Sequence, residues 1–107
     1  MDVMNTEIFE FPGGMDVPPV HPGRTLAAEL AARGLTANAL ALKLRVPANR
    51  ISDIVRGHRA ISPETALRLG RCFGTSAQFW INLQANYDLA VARQELGATI
   101  EREVEAA

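Results

Sequence analysis

Near the middle of the chain, Ala48, Asn49, Arg50 and Asp53 form a short cluster whose polar members suit the reading of base edges. A carboxamide such as Asn49 can bond adenine through two atoms at once, and a guanidinium such as Arg50 can do the same to guanine. Asp53 either accepts from cytosine or orients Arg50. Around the cluster lie Lys43, Arg45, Arg56, His58 and Arg59, suited to phosphate oxygens, with Thr36 and Asn38 at an expected helix start whose free amides favour anions. The formal net charge of −1 conceals this, because residues 43–71 hold seven Lys and Arg against two acids, while residues 1–20 hold four acids and no Lys or Arg. A basic island between acidic ends points to a polyanion partner at one place on the surface. The same arginines would also serve an ordinary solvated helix face.

These side chains need elements to hold them, and the pattern predicts helices throughout. Leu26, Ala27 and Leu30 give one apolar face from Pro22 to Arg33, stopped by Gly34, with His21 ordering its start. Thr36 caps a second helix with Leu40, Ala41 and Leu44 inward, and Val46-Pro47 turns the chain. A third helix from about Ala48 to Val55 puts Ile51, Ile54 and Val55 on one side, and Gly57 closes it. Ser62-Pro63 starts a fourth, with Ala66, Leu67, Leu69 and Phe73 inward, and Ser76 starts a fifth that ends at Leu96 before Gly97. Phe79, Trp80, Leu83 and Tyr87 on that helix are core or dimer-interface residues. The two short helices at 36–44 and 48–55, joined by about three residues, have the helix-turn-helix spacing, in which the second helix enters the major groove and the first crosses the backbone.

The expected fold is all-α, a five-helix phage-repressor-like helix-turn-helix domain over residues 21–96. An irregular N-terminal arm, residues 1–20, precedes it and an acidic tail, residues 97–107, follows. At 107 residues, 48% hydrophobic and 21% charged, the chain suits one core. No stretch approaches the roughly 18 apolar residues of a membrane span, and the acidic start lacks a signal-peptide pattern. The single cysteine, Cys72, excludes an internal disulfide and is expected as a small buried hydrophobe; a cytoplasmic location follows. His21 and His58 lie 37 positions apart without a Cys cluster, so no metal is expected. Without a phosphate loop or a nucleophile with its base, neither catalytic residues nor a cofactor are expected.

The run from Leu35-Thr36-Ala37-Asn38 through Ile51-Ser52-Asp53-Ile54-Val55-Arg56-Gly57 resembles the phage-repressor (Xre-type) helix-turn-helix. His21-Pro22-Gly23, Val46-Pro47-Ala48-Asn49-Arg50-Ile51-Ser52, Arg59-Ala60-Ile61-Ser62 and Phe73-Gly74-Thr75-Ser76-Ala77-Gln78-Phe79-Trp80 extend it, over about residues 21–93, to a resemblance to the HigA-type antitoxins. That resemblance implies a homodimer on a double-stranded DNA operator. It further implies a toxin partner of RelE-like fold, an mRNA endonuclease that the antitoxin sequesters while repressing their shared promoter. A stand-alone repressor of the same fold is the alternative. Arg45 departs from the pattern where phage repressors usually carry Gly, which requires either a left-handed conformation or a differently closed turn.

Overall fold

The computed structural model describes residues 18–107, and those residues form five helices and no strand. They are α1 (Pro22–Arg33), α2 (Ala37–Leu44), α3 (Ala48–Val55), α4 (Pro63–Phe73) and α5 (Ala77–Glu103). Of the expected irregular arm, residues 1–17 lie outside the described residues, and Pro18 to Val20 are non-helical.

Local chemistry sets most of the boundaries. The first free amides of a helix need acceptors. His21 Nδ1 accepts from the Gly23 amide at 2.9 Å, Thr36 from Ala39 at 3.0 Å, Ser62 from Thr65 at 3.2 Å and Ser76 from Phe79 at 3.0 Å. Pro22 and Pro63 occupy first-turn positions, where a missing N–H costs nothing. At the far end of α1, Gly34 turns left-handed at φ 67°, which lets the Leu35 amide reach the Leu30 carbonyl at 2.9 Å.

The core lies where the five helices meet. Trp80, Leu26, Leu40, Ile51, Ile54 and Leu69 are fully buried, joined by Leu30, Ala41, Leu44, Ile61, Ala66 and Phe73. Trp80 also satisfies its only donor, Nε1, on Thr75 Oγ1 at 3.0 Å. α1 and α3 approach closely at Gly23, where an added Cβ would strike the carbonyl oxygen of Ile54 and lie 2.9 Å from that of Val55. Arg33 closes one edge, its guanidinium 4.4 Å above the Phe73 ring.

Three expectations are corrected. Leu67 is 65% exposed rather than inward, because Ala66, Leu69, Gly70 and Phe73 already fill the stripe that α4 buries. Cys72 is exposed, one residue outside the same stripe. Gly97 does not stop α5, which continues to Glu103. A single glycine in a helix costs only about 1 kcal/mol against alanine, and Gln94, Glu95, Leu96, Ala98 and Glu101 around it are good helix formers. From Arg93 onward no residue of α5 is buried, while Leu89, Leu96 and Ile100 leave an exposed apolar row at spacings of seven and four.

The two glycines give opposite outcomes on substitution by alanine. Gly23→Ala should lower the unfolding free energy by about 2 kcal/mol or more, since backbone must move. Gly97→Ala, in open space, should raise it by roughly 0.5–1 kcal/mol. Urea denaturation of the two variants beside the parent chain measures both.

Candidate nucleic-acid interface

The connection between α2 and α3 is a Schellman turn closed by an arginine. Arg45 sits at φ 61°, ψ 45°, its amide 3.3 Å from the Leu42 carbonyl, while the Val46 amide reaches the Ala41 carbonyl at 3.1 Å. Of the two conformations left open by the sequence, this is the left-handed one, which a side chain with a Cβ adopts at a cost of roughly 1–2 kcal/mol. A neighbouring helix supplies part of the compensation. Arg68 on α4 donates from Nη1 to the Leu44 carbonyl at 2.8 Å, satisfying an acceptor that the end of α2 leaves free.

Pro47 opens α3 without a side-chain cap, so the first amides of this helix are not covered by a neighbouring hydroxyl or carboxylate. With Ile51 and Ile54 buried beneath, the opposite face is set by helical spacing: Asn49, Asp53 and Arg56 follow at four and three residues. Ala48 and Asn49 are exposed, as is Arg56, whereas Asp53 and Arg50 are half-buried. Asp53 pairs with Arg56 at 2.7 Å rather than with Arg50. Arg50 projects from the flank towards α4, where Nη1 lies 3.6 Å from Glu64 Oε1. Arg50 and Asp53 are therefore only partly exposed on the start of α3, their side chains 24% and 25% exposed.

The expected phosphate contacts distribute around this face. Thr36 uses its oxygen as the α2 cap, and Asn38, Lys43 and Arg45 are exposed along α2 and the turn. His58 and Arg59 are exposed in the loop after α3, beyond Gly57 at φ 81°. That loop is anchored from below by a residue the sequence reading passed over. Gln84 on α5 is buried, accepts from the Ile61 amide at 2.8 Å and donates to Asp88 at 2.9 Å. A glutamine inside the Trp80, Leu83, Tyr87 stripe is the signal that marked it.

His21 braces the same loop. Its ring meets Tyr87 edge-on at 4.9 Å, and burial pushes its pKa below the usual 6.5 against the opposing pull of Asp88 and of a hydrogen bond to the Arg59 backbone. The neutral ring is also what lets Nδ1 accept from the Gly23 amide. Of the α5 residues expected in the core or at a dimer face, Trp80 is core, Leu83 and Tyr87 are half-buried, and Phe79 is 42% exposed. Among the described residues no group of three or more His, Cys, Asp or Glu is placed to hold a metal ion, and no helix is long and apolar enough to cross a membrane.

The helix-turn-helix family model matches residues 26–80 of this chain. Virulence-associated protein I of Dichelobacter nodosus is 49% identical over 84 residues, which is 78% of each chain. Among solved structures, the Pseudomonas aeruginosa antitoxin HigA with the higBA promoter superposes with a TM-score of 0.80 at 50% identity, covering 81% of this chain and 96% of that one. An addiction module antidote protein of the HigA family from Coxiella burnetii gives 0.82 at 44% identity, covering 85% and 100%.

The left-handed Arg45 predicts how its replacements behave. Arg45→Gly should raise the unfolding free energy by up to about 1 kcal/mol, the relief of the strained conformation less the entropy glycine gains in the unfolded chain. Arg45→Val should lower it by about 1–3 kcal/mol, since β-branched residues tolerate positive φ least. Chemical denaturation of the two variants decides it.

Proposed function

The chain belongs to the helix-turn-helix family and, within it, groups with the HigA-type antitoxins, and from that premise we propose that it is a DNA-binding antitoxin that represses its own promoter and neutralises a RelE-like mRNA endonuclease. The observation that carries the DNA-binding half is the uncapped start of α3, with Asn49 exposed on it and Lys43, Arg45, His58 and Arg59 exposed on either side. Asn49 reads adenine through its carboxamide, with Ala48, Arg50 and Asp53 completing the base-edge contacts. Thr36, Asn38, Lys43, Arg45, Arg56, His58 and Arg59 meet phosphates and fix the register of the helix. Two copies place two α3 helices in successive major grooves, half-sites lying about 34 Å apart. The row of Leu89, Leu96 and Ile100 along the outer half of α5 is apolar surface available to such a pairing. The toxin half of the proposal is supported by the kinship with the HigA antitoxins.

Substitution separates specific from general binding. Asn49→Ala should weaken binding to the DNA immediately upstream of the chain's own gene by about 1–3 kcal/mol, roughly five- to 150-fold, while binding to unrelated duplex stays the same. Affinity of the parent chain should fall steeply with salt. Fluorescence-anisotropy titrations on both duplexes at two salt concentrations measure this; equal loss on both duplexes, or none, would remove Asn49 as a reader.

A further inference from the structure

Glu64, in the first turn of α4, faces two guanidinium groups, and it treats them unequally. Its Oε2 lies 3.0 Å from Arg68 Nη2 and accepts from Arg68 Nε at the same distance, while Oε1 lies 3.6 Å from Arg50 Nη1. Arg68 is fully engaged, since its Nη1 also donates to the Leu44 carbonyl at 2.8 Å. Arg50 is not. Its pair with Glu64 is longer than a hydrogen bond, its side chain is only 24% exposed, and its Nε is buried with no hydrogen-bond partner among the described residues. A buried donor without an acceptor is unfavourable, so this arrangement leaves free energy to be recovered when Arg50 meets a better acceptor. Arg50 stands one residue from Asn49, at the rim of the face presented by α3. An outward rotation of its side chain would expose Nε and bring the guanidinium towards whatever lies on that face.

Resting on the DNA-binding role proposed above, we infer that Glu64 competes with DNA for Arg50. In the free chain the carboxylate draws the guanidinium back against α4; on the operator Arg50 leaves Glu64 and takes an acceptor of the DNA. Release costs Glu64 little, because that carboxylate is 58% exposed and keeps Arg68. Arg50 gains charge-assisted hydrogen bonds in place of a long ion pair. Glu64 is thus a positioning residue: it tunes affinity through Arg50 without contacting the nucleic acid.

A four-chain comparison tests this: the parent, Glu64→Gln, Arg50→Ala and the double variant, titrated by anisotropy on the upstream duplex at one salt concentration. Arg50→Ala should weaken binding about tenfold. Glu64→Gln should tighten it about three- to fivefold in the parent background and change it less than twofold when Arg50 is absent. Equal tightening in both backgrounds would mean that Glu64 acts only by repelling phosphates, and would overturn the inference. So would weaker binding by Glu64→Gln, which would make the carboxylate a support of the DNA-competent form. A thermal melt of each variant establishes that it is folded, and Glu64→Ala repeats the cycle if the glutamine keeps Arg50 in place. If the parent chain binds neither upstream nor unrelated duplex, the DNA-binding role itself fails and this inference falls with it; a parent that binds normally with a null cycle removes the inference alone.

Discussion

An eight-residue helix is marginal in water on its own, because the cost of nucleation is recovered over too few hydrogen bonds. α3 therefore depends on the burial of Ile51 and Ile54 beneath it, and every other element can be understood by what it adds to that contact. Gly23 lets α1 approach until backbone meets backbone at the end of α3. α2 packs alongside through Leu40, Ala41 and Leu44, with the turn at Arg45 fixing the angle between the two short helices. Trp80 and Leu69 fill the space below, so that α4 and α5 act as a floor rather than as part of the exposed face. Gln84 then ties the outgoing loop to that floor through the Ile61 amide.

The basic residues divide by task once the packing is known. Arg33 lies over Phe73 and pairs with Glu29, and Arg68 joins Glu64 to the end of α2; both are spent on the fold. Lys43, Arg45 and Arg59 are exposed around α3, which concentrates positive charge on one side of a chain whose net charge is −1. Composition alone cannot make this division, since an arginine that caps a helix and one that meets phosphate look alike in a sequence. Arg56 and Arg50 stand between the groups, each beside a carboxylate, Asp53 at 2.7 Å and Glu64 at 3.6 Å.

Much of the fold was legible because the helix ends are written in residues with local chemistry. Thr36, Ser62-Pro63 and Ser76 announce starts, and Gly34, Gly57 and Gly74 announce stops at positive φ, so four of the helices could be placed within a residue or two. Gly97 misled because it carries the residue type of a stop without the left-handed geometry of one. Leu67 and Cys72 misled because residue type reports a preference for burial, while the width of the stripe α4 can bury is set by its neighbours. The position of Asn49 on the exposed start of α3 followed from helical spacing. The flank position of Arg50 did not, since it depends on Glu64 approaching from another helix, a contact across fourteen residues of sequence that no periodicity reveals. Gln84 and Arg68 escaped for the same reason: each serves an acceptor or donor more than twenty residues away.

In the DNA-binding role proposed above, one face, built on α2 and α3 and the loop that follows, meets DNA while α5 stays behind it. Amide chemical-shift mapping during titration with the upstream duplex tests this most directly. Shifts should concentrate at the start of α2, through the turn at Arg45, along the exposed side of α3 and in the loop at His58 and Arg59, with the Gln84 side of α5 little changed. Shifts centred on α4 and the outer half of α5, with α3 unmoved, would contradict it.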